Sequence, residues 1–167
     1  ARGVQRVILG AHLGADPAAL QFVQHGDSKP ALAMDSGGRC EYNASHSDTL
    51  LAIAVSERPV GVDVERHRAM PSLAKVARRV LGPAAAGRVL AAPAESRDDA
   101  FFAEWTALEA HAKLHGHGVW RILAERDRHG AAERVRTAPL PTPDGYSGAV
   151  AVAGAEPSVT VRWWDPA

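Results

Sequence analysis

The sequence contains one cysteine, Cys40, among its 167 residues. A single cysteine excludes an intramolecular disulfide and a metal site built on several thiolates, so a reducing, cytoplasmic location is expected. Long apolar runs are also missing, because no stretch approaches the ~20 residues that a membrane-spanning helix needs. The first residues predict an amphipathic helix rather than a secretory signal peptide.

The sequence also lacks an excess of charge of either sign. Its 19 basic and 19 acidic residues leave a formal net charge of zero, so neither nucleic acid nor an anionic membrane is expected as a partner. A small basic site would still fit this balance. The content of 46% hydrophobic and 23% charged residues is typical of a globular protein. The length suits one domain or two small lobes that share a core.

Hydrophobic spacing divides the chain into a mostly β first part and a mixed second part. Helical patterns cover Gly3 to Gly14, Phe101 to His115, and Ser72 to Ala91 with an interruption at Gly82 and Pro83. Strands are predicted in five stretches: PAALQFV; SKPALAMDSGG; TLLAIAVSERPVGVDVE, which holds two; GVWRILAERD; and YSGAVAVAGAEPSVTVRWW, which also holds two.

An internal repeat predicts the arrangement of these elements. At a constant offset of 97 residues, the second half repeats the apolar positions Ala52, Ile53, Ala54, Val55, Val62 and Val64 as Ala149, Val150, Ala151, Val152, Val159 and Val161. A duplicated unit explains this more economically than coincidence. We therefore expect an α+β pseudo-dimer of two similar α/β lobes, 1–67 and 68–167, with one site at their junction.

The stretch PVGVDVE carries two carboxylates on one predicted strand. At a period of two, Val60, Val62 and Val64 share one face, whereas Asp63 and Glu65 project from the other. Like charges at this spacing repel each other, and a hard cation such as Mg²⁺ would offset the repulsion. The alternative is an acidic pair that simply faces water.

The stretch EWTALEAHAK places Trp105, Glu109 and Lys113 four residues apart on one helix face. The order of Glu109 and Lys113 is the favourable one for an ion pair. The alternative is a surface pair beside a packed tryptophan, which would contribute only about 0.3–0.5 kcal/mol.

Two further stretches carry histidine. In YNASHSD, Ser45 and His46 precede a β run, where a loop hydroxyl and an imidazole could contact phosphate oxygens; a plain polar turn is equally compatible. In HAKLHGHG, His111 and His115 share a helix face and His117 follows them. The HExxH pattern is absent and no cysteine helps, so a zinc site is not expected.

Taken in order, SKP, YNASHS, GVDVE and FFAEWTALEAHAKLHGHG resemble the 4′-phosphopantetheinyl transferases of the larger, surfactin-synthetase-activating type. The pairing of GVDVE with WTxxEAxxK about forty residues later is specific, whereas SHS and KP are weak without it. The resemblance runs from about Gly3 to Trp164. It implies a two-lobed fold, in agreement with the repeat, and a monomer.

The resemblance also implies an activity and its residues. Members of this family move phosphopantetheine from coenzyme A to a serine of an acyl or peptidyl carrier protein, as used in polyketide and nonribosomal peptide synthesis, with Mg²⁺. By resemblance, the catalytic residues are Glu109 and Lys113. The implied Mg²⁺ ligands are Asp63, Glu65 and Glu109. The implied coenzyme A contacts are Lys29, Ser45, His46 and Lys113.

Three departures from the family pattern and two rival functions accompany this prediction. Leu108 stands where the family usually has lysine, and DSKP replaces GKP. Larger members begin some tens of residues earlier, with basic residues that help to hold the nucleotide end of coenzyme A. These basic residues are expected to be absent unless Arg2 or Arg6 substitutes, and the N-terminus is expected to be incomplete. The first rival is an inactive relative that binds carrier protein or coenzyme A without turnover. The second is an unrelated Mg²⁺-dependent phosphohydrolase, which leaves the order of the motifs unexplained.

Overall fold

The computed structural model describes residues 2–23, 31–33, 40–116, 118–123, 135–154 and 158–164. Residues 119–123 are helical, and Ala94–Ser96 form one turn of 3₁₀ helix. The labelled helices are α1 (Arg2–Leu13), α2 (Leu73–Val80), α3 (Pro83–Ala91) and α4 (Arg97–Leu114). The strands are β1 (Phe22–Val23), β2 (Ala31–Leu32), β3 (Glu41–Ser47), β4 (Leu50–Ser56), β5 (Val60–Arg66), β6 (Val135–Pro139) and β7 (Tyr146–Ala153).

The strands form three antiparallel sheets. The strand β1 pairs with β2, β3 pairs with β4, and a third sheet has the order β5-β7-β6. The predicted mixture of helices and strands is confirmed, and the sheets are antiparallel. In this arrangement β5, from the first predicted lobe, pairs along its whole length with β7 from the second, with Val60 opposite Val152 and Arg66 opposite Tyr146.

The helical part of the chain follows the sequence patterns closely. The helices α2 and α3 are separate, because Gly82 adopts a φ of 79° and Pro83 then occupies the first turn of α3. The long helix α4 begins four residues before the predicted start, with Asp98 and Asp99 in its first turn. Negative charges at a helix N-terminus interact favourably with its dipole.

The apolar face of α4 joins two parts of the core. Its N-terminal half packs against α2 and α3, where Phe102 is fully buried, and its C-terminal half packs against β7 through Ala110 and Leu114. The helix α4 is therefore the element that connects the helical layer to the β5-β7-β6 sheet.

None of the described helices is both long and apolar enough to cross a membrane.

An unusual connection joins the β3-β4 sheet to β5. The outer edge of β5 has backbone N–H groups at alternate residues, and these donate to side chains of β3 rather than to its backbone. The three bonds run from Val62 N to Asn43 Oδ1 (2.9 Å), from Val64 N to Ser45 Oγ (3.4 Å) and from Arg66 N to Ser47 Oγ (3.0 Å). We call this row of bonds the side-chain ladder. It satisfies edge donors that would otherwise stay unpaired.

Three secondary-structure predictions are wrong. The stretch YNASHSD forms most of strand β3 instead of a polar turn. Residues 119–123, predicted as a strand, are helical, and residues 158–164, predicted as the last strand, are not in a strand. In the internal repeat, Val62 and Val64 thus lie in a strand, whereas their counterparts Val159 and Val161 do not. The strand β6 was not predicted, although it pairs with β7 from Val135 opposite Ala153 to Pro139 opposite Ala149.

Candidate functional site

A glycine sets the distance between the two elements that carry the candidate residues. A Cβ at Gly61 would collide with the carbonyl oxygen of Ala110 and the amide nitrogen of Leu114. Only glycine therefore lets β5 lie directly against the backbone of α4. Because alternate residues of a strand share a face, Asp63 and Glu65 point to the same side as Gly61, toward α4.

Asp63 and Lys113 form a salt bridge at this contact. The Nζ atom of Lys113 lies 2.7 Å from Asp63 Oδ1 and 2.8 Å from Ser45 Oγ, and Ser45 donates its own proton to Asp63 Oδ1 at 2.8 Å. Asp63 is only 3% exposed. Burial raises the pKa of Asp63, although the charge of Lys113 and the hydrogen bonds oppose the rise. The interpretation of Asp63 as a residue that faces water is wrong.

Glu65 has a similar but more open environment. Ser47 Oγ donates to Glu65 Oε2 at 3.1 Å, and Arg68 Nη1 lies 3.5 Å from the same oxygen. The side chain of Glu65 keeps 25% of its surface exposed. Glu65 can therefore be reached from solvent, whereas Asp63 is enclosed.

Glu109 lies close enough to both acids for their charges to interact. Burial raises the pKa of Glu109, the charges of Asp63 and Glu65 raise it further, and Lys113 opposes them. The predicted ion pair of the helix face has a different partner, because the ammonium of Lys113 bonds to Asp63 and acts on Glu109 through its charge. Trp105 stacks on Phe101, with ring centroids 6.3 Å apart, and so packs in the core.

His46 points away from this group. It is exposed on β3, whereas its neighbour Ser45 is buried on the opposite face. The imidazole instead borders a cavity of about 960 Å³ that lies between α1, β4, the valine face of β5 and residues 158–164. The structure therefore brings Ser45 to the acidic group and leaves His46 on the far side of the strand.

The remaining sequence predictions have mixed outcomes. Lys29 lies outside the described residues, as does His117. Leu108 is partly buried against two apolar clusters, so this position packs in the core instead of supplying charge to the site. Arg6 donates to the carbonyl oxygens of Pro17 and Leu20 at 2.9 and 2.7 Å, so its guanidinium is occupied within the first part of the chain.

The chemistry of the three carboxylates suits a divalent cation. Carboxylate oxygens are the ligands that Mg²⁺ prefers, and Asp63 Oδ2 is buried without a hydrogen-bond partner. A cation would also offset the repulsion that raises the pKa of Glu109. Among the described residues, however, no three His, Cys, Asp or Glu side chains are grouped closely enough to hold a metal ion. The donor set fits, and the carboxylates would have to draw together around the ion.

Comparison with known proteins identifies the family. The model of the 4′-phosphopantetheinyl transferase superfamily matches residues 59–150, which include β5, α4 and the first part of β7. The chain belongs to this superfamily. The matched segment contains Asp63, Glu65, Glu109 and Lys113, so the family match and the acidic group coincide.

Three relatives of the superfamily show the extent of the likeness. The 4′-phosphopantetheinyl transferase HetI of Nostoc sp. is 33% identical over 165 residues, which cover 92% of this chain and 69% of the relative. The 4′-phosphopantetheinyl transferase of Bacillus subtilis is 27% identical over 64% of this chain and 46% of its own length. Its counterpart psf-1 from Bacillus pumilus is 32% identical over 59% and 40%, respectively. The chain thus spans two thirds of the first relative and less than half of the other two.

Two contributors to this candidate site were missed in the sequence. Ser47 contacts Glu65, and Asn43 supports the backbone of β5, but neither residue was assigned a role. Their spacing was a usable signal, because Asn43, Ser45 and Ser47 alternate along β3 as regularly as the acids alternate along β5. The polar composition of the stretch concealed this strand-like period.

Proposed function

We propose that the protein transfers the 4′-phosphopantetheine group of coenzyme A to a serine of an acyl or peptidyl carrier protein, with Mg²⁺. The observation that carries the proposal is the buried Asp63–Lys113 salt bridge beside Glu65 and Glu109, within the segment that matches the family. The activity of the relatives, taken from their names, supports the same reaction class.

The proposed site draws on both predicted lobes. Ser45, Asp63 and Glu65 belong to residues 1–67, whereas Glu109 and Lys113 belong to residues 68–167. A site at the junction of two lobes would assemble only when β5 and α4 pack together, and Gly61 allows that close approach. We therefore propose the two-lobed pseudo-dimer of the larger, surfactin-synthetase-activating type.

In this mechanism Glu109 takes a proton from the carrier. The serine hydroxyl of the carrier attacks the phosphorus that bears the pantetheine arm, a P–O bond to that phosphorus forms, and the bridging P–O bond to adenosine 3′,5′-bisphosphate breaks. Glu109 lies within charge-interaction range of Asp63 and Glu65, and its carboxylate would accept the serine proton. The electron pair of the broken bond stays on the released bisphosphate.

The other residues bind and orient the donor. Mg²⁺, held by Asp63, Glu65 and Glu109, would neutralise pyrophosphate charge when bound. The side chain of Lys113 is 30% exposed, and its ammonium would also contact the pyrophosphate. Lys29, Ser45 and His46 stay the predicted contacts of coenzyme A phosphates. Of the two that the structure describes, His46 has an exposed side chain, whereas the hydroxyl of Ser45 is engaged with Asp63 and Lys113.

We propose that the carrier docks on a basic surface that includes α2. Between Glu65 and Glu95 the chain holds six arginine or lysine residues and no acidic residue, which is a local excess in a chain without net charge. Among the described residues, the exposed Lys75, Arg78 and Arg79 of α2 form no salt bridge. This surface suits an acidic partner.

An exposed tryptophan adds an apolar contact to that surface. The segment that directly follows α4 includes Trp120, whereas its neighbours Val119 and Ile122 are buried and cannot contact a carrier. Trp120 is 61% exposed, and the guanidinium of Arg79 lies 5.8 Å from its ring centroid. We therefore propose docking on Trp120 and the basic face of α2.

The transfer is tested by mass spectrometry. The protein is incubated with an apo carrier protein, Mg²⁺ and coenzyme A, and a phosphopantetheine-sized gain in carrier mass is expected. Glu109→Gln is expected to abolish the gain. Glu104→Gln is the matched control, because Glu104 lies on the same helix but pairs with Arg88 at 2.6 Å, and it should leave transfer intact.

Other outcomes would favour the rival functions. Folded protein that binds the carrier without changing its mass would indicate an inactive relative. Release of inorganic phosphate from coenzyme A without carrier would indicate a phosphohydrolase. Full transfer by Glu109→Gln would show that the helix acid is not the base.

A further inference from the structure

Ser47 lies between the backbone of β5 and the carboxylate of Glu65. Its Oγ accepts the N–H of Arg66 at 3.0 Å and lies 3.1 Å from Glu65 Oε2. A serine hydroxyl has one proton to donate. Because the amide of Arg66 is itself a donor, this proton is left for the carboxylate, and the direction of both bonds is determined.

A competing partner lies next to the same oxygen. Arg68 Nη1 is 3.5 Å from Glu65 Oε2, and the guanidinium of Arg68 is held 5.0 Å from the ring centroid of Phe102. At 3.5 Å this interaction is weak, and the bond from Ser47, although long for a hydroxyl donor at 3.1 Å, is the shorter of the two. If the hydroxyl were lost, Arg68 would remain as the described side-chain donor to Glu65 Oε2.

We propose that Ser47 is a positioning residue: its hydroxyl donates to Glu65 Oε2, holds that carboxylate in place and limits its contact with Arg68 to the present 3.5 Å. This inference rests on the proposed function in one respect, since it takes Glu65 as a ligand of the divalent ion. Residues that orient metal ligands commonly change metal affinity 10- to 100-fold when they are removed.

The packing around Ser47 makes the hydroxyl separable from the fold. Ser47 pairs with Leu50 through the β3-β4 backbone ladder, which does not depend on its side chain. It is half-buried and belongs to none of the apolar clusters of the described residues. Replacement by alanine therefore removes the two hydroxyl contacts and little else.

The test uses Mn²⁺ as the probe, with neither coenzyme A nor carrier present. Binding is measured from the electron paramagnetic resonance signal of free Mn²⁺. We expect Ser47→Ala to weaken Mn²⁺ binding about tenfold. Ser47→Thr retains the hydroxyl on a strand and should bind nearly as tightly as the parent. The double variant Ser47→Ala with Arg68→Gln should recover much of the loss, because the competing cation is gone.

A matched control is available on the neighbouring strand. Ser56 on β4 accepts the N–H of Arg58 at 3.1 Å but donates to no described carboxylate. Ser56→Ala should therefore leave Mn²⁺ binding unchanged. The amide signal of Arg66 in nuclear magnetic resonance spectra should move in Ser47→Ala and stay in place in Ser56→Ala, independently of metal.

The outcomes separate this inference from the proposed function. Equal Mn²⁺ affinity of Ser47→Ala and the parent would overturn the positioning role, and failure of the Arg68→Gln rescue would overturn the competition assigned to Arg68. A parent that binds no Mn²⁺ would overturn the ligand role of Glu65 and this inference with it. A parent that binds Mn²⁺ but never modifies a carrier would overturn the proposed transfer alone.

Discussion

Two carboxylates of one strand are supported in the same way and differ in their surroundings. Ser45 and Ser47 each accept the N–H of the residue that follows the acid and each donate to the acid itself. The inner acid, Asp63, is enclosed and paired with Lys113 at 2.7 Å. The outer acid, Glu65, is partly exposed, and its cationic partner among the described residues is Arg68 at 3.5 Å.

This comparison shows that burial, and not the hydrogen-bond pattern, separates the two acids. The free energy of an ion pair rises as water is excluded, and so does the cost of leaving one member unpaired. The inner pair should therefore matter to stability, whereas the outer acid keeps the freedom to bind a ligand. Four substitutions test this difference, in order of expected effect.

Gly61→Ala should affect both acids by separating their strand from α4. The new Cβ would collide with backbone atoms of Ala110 and Leu114, which cannot rotate away. We expect a loss of about 3 kcal/mol or more in the free energy of unfolding, measured by urea denaturation. Gly87→Ala is the control, since its Cβ meets nothing within 4 Å and should stabilise α3 by about 0.5–1 kcal/mol. Equal stability of Gly61→Ala and the parent would contradict the close approach.

Lys113→Met should affect the inner acid alone. It leaves Asp63 buried without its counter-charge, and we expect a loss of about 2 kcal/mol, somewhat below the value for fully buried pairs because Lys113 is partly exposed. Adding Asp63→Asn to Lys113→Met should restore part of the stability, because the isolated charge is then removed. Both are measured by urea denaturation at pH 7. A double variant that is weaker than the single one would argue against this account.

Glu109→Gln should stabilise the metal-free protein at neutral pH. The folded-state pKa of Glu109 is raised, so its ionisation disfavours the folded state. This cost is absent below the pKa of the unfolded chain, roughly 4.3, and grows as the pH rises through the folded-state pKa. Thermal unfolding in EDTA should therefore show a higher midpoint for Glu109→Gln at pH 7 and no difference near pH 4. The opposite sign at pH 7 would rule out the proposed repulsion.

Arg68→Met should have the smallest effect. The contact of Arg68 with Glu65 is long and exposed, and such pairs contribute less than about 1 kcal/mol. The loss in the free energy of unfolding should stay below that of Lys113→Met, measured under the same conditions. A loss as large as that of Lys113→Met would abolish the distinction between the inner and outer acids.

The sequence predicted those features that depend on local periodicity. The helix around Glu109, the break between α2 and α3 at Gly82 and Pro83, and the two strands on either side of Pro59 are all confirmed. Each has a regular apolar spacing or a residue that restricts the backbone. The four charged residues of the proposed site could be chosen for the same reason, since spacings of two and four place side chains on one face.

The features that were missed depend on contacts distant in the sequence. The strand β3 looked like a turn, because its polar residues at 43, 45 and 47 have partners only when β5 lies beside them. Residues 158–164 alternate like a strand but are not in one. The choice of Asp63 over Glu109 as the partner of Lys113 depends on how closely β5 approaches α4, and the sequence gives that distance only indirectly through Gly61.

The side-chain ladder makes the connection between the β3-β4 sheet and the β5-β7-β6 sheet sensitive to single substitutions. A backbone ladder forms whatever the side chains are, so a single substitution can rarely open it. Here each rung ends on one atom of Asn43, Ser45 or Ser47, and each can be deleted separately. Mutation can therefore weaken the contact between the two sheets one hydrogen bond at a time. Two of the residues that form these bonds, Ser45 and Ser47, also bind the two acids.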